Sequence, residues 1–272
     1  MEYLRRRLVP SCSELRMNSR THGMIRSATD HDMESIGRWL LEASRSGVDS
    51  LWPNWRLTQK VHAKEKSVRV FVEGTTGEPV AYFWGSLNTS DSILDVRPSH
   101  RGRGVGRLVV DHLTEESRSL REPLLHITCS PESSEHFWNK MGFTTEHASG
   151  SIWASRVIEI PNKLPEAGKQ RDITVRFFDD AGAYGDAPAL SEYAVRGLED
   201  EFGTIHLPRI LACYEPRGSS ALHVEIAMRR PDELLILHKS KCRNQAAVTL
   251  GVEDCLNGYC VAQIRLGSNF IS

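Results

Sequence analysis

The chain has 272 residues, 40% of them hydrophobic and 25% charged, and a formal net charge of -1; this is the make-up of an ordinary globular protein and excludes a disordered or fibrous one. The near-neutral balance argues against a nucleic-acid partner, because gripping phosphates needs an excess of Lys and Arg. No apolar run approaches the roughly 20 residues of a membrane span, and Arg5, Arg6 and Arg7 precede no apolar stretch of the kind found in a secretory signal, so no membrane partner and a cytoplasmic location are expected.

In chain order, residues 1–23 read as an N-terminal tail, with Met24 a natural start for the first folded segment. A short strand over Met24–Ala28 leads to a helix with Thr29 as N-cap and Asp32 in the capping-box position. Met33, Ile36, Trp39 or Leu40 and Ala43 follow at helical spacing. "VDSLWPNWRLTQKVHA" reads as a loop and a short helix, and "SVRVFVEGTTGEPVAYFWGSL" as two strands joined by a Gly-rich turn. "SILDV" is a strand, "GRLVVDHLTEESRSL" an amphipathic helix, "LLHITCS" a strand, "SSEHFWNKMGF" a short helix and "SIWASRVIEI" a long final strand. "PNKLPEAGKQR", residues 161–171, has little to bury and reads as a linker. Residues 172–272 then read as an α+β domain. "ITVRFFDD", "ALHVEIAMR", "LLILHKS" and "GYCVAQIRL" are strands there, and "APALSEYAVRGLED" is a helix.

The chemistry concentrates between the strand at Leu94 and the helix at Leu108. Arg101-Gly102-Arg103-Gly104-Val105-Gly106 removes side chains where backbone must approach a ligand. Its amides sit at a helix start, where unpaired donors and the positive end of the dipole coincide. With Arg101, Arg103 and Arg107 around it, this is an anion site suited to phosphate; the alternative is a tight turn with solvated arginines. The Walker pattern is excluded because Arg107-Leu108, not Lys and Ser or Thr, follows Gly106. The dinucleotide fingerprint is excluded because the spacing is G-x-G-x-G.

These residues resemble a known family. "LDVRPSHRGRGVG" is similar to the acetyl-CoA-binding segment of the GNAT N-acetyltransferases, with Arg101-x-x-Gly104-x-Gly106 in the place of Q/R-x-x-G-x-G/A. "FWNKMGF" resembles that family's second CoA segment through Phe137, Lys140 and Gly142-Phe143, and "MIRSATDHD" its opening strand and helix. The resemblance covers residues 24–160 and implies a mixed α/β GNAT acetyltransferase fold followed by a smaller α+β domain of unassigned role. It implies acetyl-CoA as co-substrate, with its pyrophosphate on Arg101, Gly102, Arg103, Gly104, Val105, Gly106 and Arg107, and its thioester carbonyl polarised by backbone near Val96. It also implies an amine acceptor that attacks directly in a ternary complex.

The family's usual general acid, a Tyr, falls on Trp138, an N–H donor too weakly acidic to release a proton, so Trp138 is expected as a cofactor-binding residue and not as the acid. The pantetheine-contacting Asn falls on Pro131, and a small Ala on Ser134. Ser134 lies four residues before Trp138 and could relay a proton; it is also a common polar residue for a helix start. Asp95 and His126 are candidate bases, one on each of two strands. By alternation with Leu94 and Val96, and with Leu125 and Ile127, they are expected on the face opposite the main core; either could equally be a solvated or hydrogen-bonded strand residue. His100 is expected to pack. Trp52, Trp55 and Trp84 either line an acceptor pocket or fill core, core being favoured for Trp84.

His238, Cys242, Cys255 and Cys260 have a zinc-like spacing, but Cys260 sits in a strand where cysteine acts as a small apolar residue, so no metal is expected. The acidic run Gly197–Glu201 reads as the solvated end of a helix. Three functions follow: an N-acetyltransferase; a CoA-binding sensor or interaction module that has lost catalysis; and an acetyltransferase acting on charged tRNA, which the charge balance disfavours. A homo-oligomer formed through the edge of the strand ending at Ile160 remains open.

Overall fold

A computed structural model describes residues 23–89, 92–217, 221–229 and 234–266. The proposed tail 1–23 lies outside the described residues except for Gly23. The chain divides into two compact units, residues 1–113 and 114–272. Among the described residues, no helix is long and apolar enough to cross a membrane.

The first unit is an antiparallel sheet of four strands in chain order, β1 (Gly23–Ser27), β2 (Arg69–Glu73), β3 (Pro79–Trp84) and β4 (Ile93–Val96). Between β1 and β2 run α1 (Asp30–Arg45) and α2 (Trp55–Glu65). The capping box forms as expected: the Asp32 amide donates to Thr29 Oγ1 at 3.2 Å, and the Thr29 amide to Asp32 Oδ2 at 2.7 Å. Arg26 on β1 donates to the same carboxylate at 2.5 and 3.0 Å. Burial alone would raise the Asp32 carboxyl, but the Arg26 and Thr29 hydrogen bonds outweigh it and hold the group at about 2. The apolar stripe of α1, with Met33, Ile36, Trp39 and Leu40, packs with Trp55 onto Val70, Val72, Tyr82, Trp84 and Ile93. Trp84 is therefore core, as favoured, and so is Trp55; Trp52 is only half-buried against this cluster. Helix α3 (Val105–Ser119) starts in this unit.

The second unit holds two sheets. In the smaller, β7 (Ser151–Val157) is flanked by β5 (Leu124–Thr128) and β6 (Thr144–Ala148), with α4 (Glu135–Lys140) between β5 and β6. Since β7 is the central strand, the expected free edge for pairing between subunits does not exist there.

The larger sheet has seven antiparallel strands in the order β12-β11-β8-β9-β10-β14-β13, formed by β8 (Lys169–Phe178), β9 (Ser191–Glu199), β10 (Thr204–Tyr214), β11 (His223–Arg229), β12 (Leu234–Lys241), β13 (Val252–Asp254) and β14 (Gly258–Arg265). Two short helices accompany it, α5 (Asp180–Tyr184) and α6 (Gln245–Leu250). Ile173, Val175, Phe177, Val224, Ile226 and Val261 are among the side chains that fill its core, together with Cys213 and Cys242.

Two sequence expectations are corrected here. "APALSEYAVRGLED" is not a helix: β9 pairs with β8 from Phe177↔Ser191 to Lys169↔Glu199. Tyr193 and Val195 pack on the core at period two. Gly197 lets β10 approach closely, since a Cβ there would lie 2.6 Å from Ile205 Cγ2. Glu199 and Asp200 accordingly end a strand, not a helix. Nor is 161–171 a free tether. Pro161 bridges Arg209, the Asn162 amide donates to Pro208 O at 2.9 Å, and Ile210 N–H donates to Ile160 O at 2.9 Å. Strand β8 begins already at Lys169. Pro208 sits where the β10–β14 register shifts, which is how a proline is accommodated inside a strand.

A fragment ending at Lys163 would leave Ile158 and Ile160, each 2% exposed in the intact chain, without the β10 strand beside them. It is expected to aggregate or to bind a hydrophobic dye strongly. A soluble fragment with sharp near-UV circular dichroism would show that β10 is dispensable.

Candidate active site

In the first unit the glycine run sits at the start of α3. Gly104 O accepts the first intrahelical bond, from Leu108 N–H at 3.1 Å. The N–H groups of Val105, Gly106 and Arg107 therefore precede any intrahelical acceptor. Gly102 (φ 74°) and Gly104 (φ 91°) lie in the left-handed region. A Cβ at either position would meet nothing within 4 Å. Backbone conformation, not crowding, demands glycine here, and open space lies in front of the loop. Arg103 and Arg107 are exposed beside it. The positive end of the helix dipole and amides without an intrahelical acceptor lie in one run with two exposed arginines, a combination that suits a phosphate.

Arg101 does something else. Its Nε donates to Val96 O at 2.9 Å, and its Nη2 to Asp49 O at 2.7 Å and to Asp95 Oδ1 at 3.1 Å. The other Asp95 oxygen accepts the Leu51 amide at 2.9 Å. Asp95 is 7% exposed and faces Tyr82 across the β3–β4 ladder, on the side packed by α1 and α2. This corrects the expected placement opposite the main core. Burial raises its carboxyl from the ordinary value, against the pull of the Leu51 amide and Arg101. The His100 ring lies 3.6 Å from Glu73, packed as expected, and burial lowers its pKa.

In the second unit His126 is 1% exposed. Its ring is stacked between Trp153 (centroids 5.2 Å, interplanar 7°) and Tyr214 (5.0 Å, 20°). Arg217 Nη2 lies 3.1 Å from His126 Nε2, and its guanidinium carbon stands 4.1 Å from the Trp153 ring centroid. A guanidinium only donates, so Nε2 accepts and the imidazole is neutral with its proton on Nδ1, which has no hydrogen-bond partner. The expected open face of β5 is thus covered by residues from β10 and the segment after it. Burial, then the Arg217 charge, lowers the histidine pKa from 6.5 to about 4.

Ser134 borders α4, and its neighbour is the Cys129 thiol, which burial pushes up to about 11. Trp138 is 8% exposed, edge-on to Phe137 (5.1 Å) and Phe143 (5.2 Å). It sits in the packing of α4, not in the role of a titrating acid. Glu135 accepts from Thr145 Oγ1 at 2.7 Å and contacts His147 at 3.0 Å, beside a shallow depression of about 480 Å³ bounded by the 148–152 turn. Cys242 is core, and His238 contacts Ser240 Oγ at 2.7 Å. Among the described residues no group of three His, Cys, Asp or Glu side chains is arranged to hold a metal. Sequence reasoning missed Asp49, Leu51, Trp153, Tyr214 and Arg217. They meet their partners across long sequence separations, with no local motif.

The family model described as "Acetyltransferase (GNAT) domain" matches residues 65–145, a span that includes β2 to β4, the glycine loop, α3, β5 and α4. Solved structures of similar fold include a GNAT-family acetyltransferase from Listeria monocytogenes (14% identity, 51% of this chain and 96% of that one, TM-score 0.40). Others are an acetyltransferase from Thermus thermophilus (20%, 49% and 96%, 0.38) and an N-acetyltransferase from Staphylococcus aureus (14%, 50% and 99%, 0.38). No curated protein matches the chain. The GNAT-domain match ends at residue 145, and the seven-stranded sheet lies beyond it.

The neutral His126 has a testable consequence. Because its folded pKa lies below its unfolded one, the unfolded chain binds the proton more readily. Stability is therefore full above about 6.5 and falls as pH drops through the window down to about 4. Urea midpoints across that range should fall for the parent and stay flatter for His126→Gln; parallel profiles would show that this histidine is not the sensitive group.

Proposed function

We propose that the chain transfers an acetyl group from acetyl-CoA to a primary amine, of a small molecule or of a protein, by direct attack in a ternary complex. The observation that carries this is the loop before α3, where Gly102 and Gly104 hold left-handed conformations with open space beside them, at the start of a 15-residue helix whose first amides have no intrahelical acceptor. That arrangement suits the pyrophosphate of a CoA thioester, with Val105, Gly106 and Arg107 amides as donors and Arg103 and Arg107 as counter-charges. Bound there, acetyl-CoA supplies an activated acyl group.

The residues of this chain constrain how the amine reacts. The amine must attack in its neutral form, so its proton leaves to water or to a base. Asp95 is engaged by Arg101 and Leu51, and His126 by Arg217. Buried Trp138 has no proton to give. A thiolate whose parent thiol has a pKa of about 8.5 leaves tolerably unaided, so transfer proceeds here without a dedicated general acid, with its rate rising as the amine deprotonates. These same engagements favour the second reading, a CoA-binding module without catalysis.

Calorimetric titration with acetyl-CoA, followed by thiol release with a panel of amines, separates the two. Binding with amine-dependent release is expected; binding without release supports the module, and absence of binding removes both. Gly104→Glu should weaken acetyl-CoA binding by about tenfold or more, because it strains the backbone and sets a carboxylate against the site. Unchanged affinity in that variant would mean that the loop is only a turn.

A further inference from the structure

We propose that Arg101 and Asp95 are positioning residues, forming a strut that holds segment 49–52, and with it Trp52, in a fixed place relative to the glycine loop. The proposal deepens the acetyl-CoA reading of that loop and rests on it for its ligand-dependent part.

The three arginines of the loop divide by what they do. All three are exposed, but Arg101 spends three donor contacts within the fold, on Val96 O, Asp49 O and Asp95 Oδ1. Asp95 completes the knot by accepting the Leu51 amide. The turn between α1 and α2 is thereby joined, across 44 and 52 residues of sequence, to the end of β4 and to the residue directly before Gly102. A planar guanidinium can serve three acceptors at fixed angles, and an ammonium cannot. Asp95, 7% exposed, is neutralised by this guanidinium, so removing it leaves a buried charge uncompensated.

The strut gives the loop a mechanical reach. Arg101 and Gly102 are adjacent, so an adjustment of the loop around an anion moves the guanidinium. The Asp49 carbonyl and, through Asp95, the Leu51 amide move with it. Leu51 and Trp52 pack against the core of the first unit, and Trp52 is half-buried there. The strut thus holds the Trp52 segment in place for the acceptor, and loosening it weakens acceptor binding.

Arg101→Lys is the discriminating variant, because it keeps the charge and loses the fork. In the free protein, hydrogen exchange at residues 49–52 should accelerate about tenfold or more in Arg101→Lys, since the contacts holding that turn are broken. Acetyl-CoA affinity should change by less than about threefold, and the KM for the amine should rise about tenfold with kcat preserved. Asp95→Asn should raise the same KM and leave the pH profile of kcat in place. Unaltered exchange at 49–52 in Arg101→Lys overturns the strut. So does a loss of acetyl-CoA affinity in Arg101→Ala that lysine restores, because Arg101 would then be an anion ligand. Collapse of kcat in Asp95→Asn with loss of the acid limb would make Asp95 the base. If the parent fails to bind acetyl-CoA, the proposed function falls, while exchange in the free protein still decides whether the strut exists.

Discussion

A carboxylate buried at the end of a strand sets the terms for the first unit. Asp95 cannot be taken out of water alone, since an unpaired charge in a low-dielectric interior costs several kcal/mol. Two of the groups that satisfy it come from outside the strand: an amide from the turn after α1, and a guanidinium from the residue before the glycine loop. The turn, the β4 terminus and the start of α3 therefore have to close on one another for the sheet to be stable. The proposed anion site adjoins the same knot, because the residue that neutralises Asp95 directly precedes the glycine loop.

What was legible in the chain is what is local. The Thr29–Asp32 capping box needs only four consecutive residues, and the glycines of the loop announce left-handed backbone through their own lack of a Cβ. The β2–β3 hairpin is likewise written in alternation around a turn. The errors share a different cause. Segment 187–200 has helix-like spacing on paper, but a strand on each side fixes it by pairing, and Gly197 is there for the approach of Ile205. Tertiary pairing overrode local preference. Strands β6, β10 and β13 went unread for the same reason, β10 doubly so because Pro208 argues against a strand until the register shift beside it is known.

The two candidate bases fail in an instructive way. Alternation along β4 and β5 correctly separates Asp95 and His126 from their apolar neighbours, yet alternation says nothing about whether a face is wet. Both faces are covered: the Asp95 side by α1 and α2, the His126 side by Trp153, Tyr214 and Arg217. A polar residue at a period-two position marks a solvent face only in a sheet with one packed side. Each residue is instead satisfied by a guanidinium, the carboxylate as its ion pair and the imidazole as its acceptor.

That pairing bears on what the seven-stranded sheet is for. The His126 face lies on β5, inside the span of the acetyltransferase domain match, but its cover comes from Tyr214 and Arg217, beyond that span. The contact is chemically specific, since Arg217 requires an unprotonated Nε2 and a flat indole on which to rest. Near it, Ile160 and Asn162 are hydrogen-bonded to β10, so the chain passes from one sheet to the other without a free tether. A buried histidine, two aromatic rings and a backbone bridge thus join the larger sheet to β5 and β7 within the second unit.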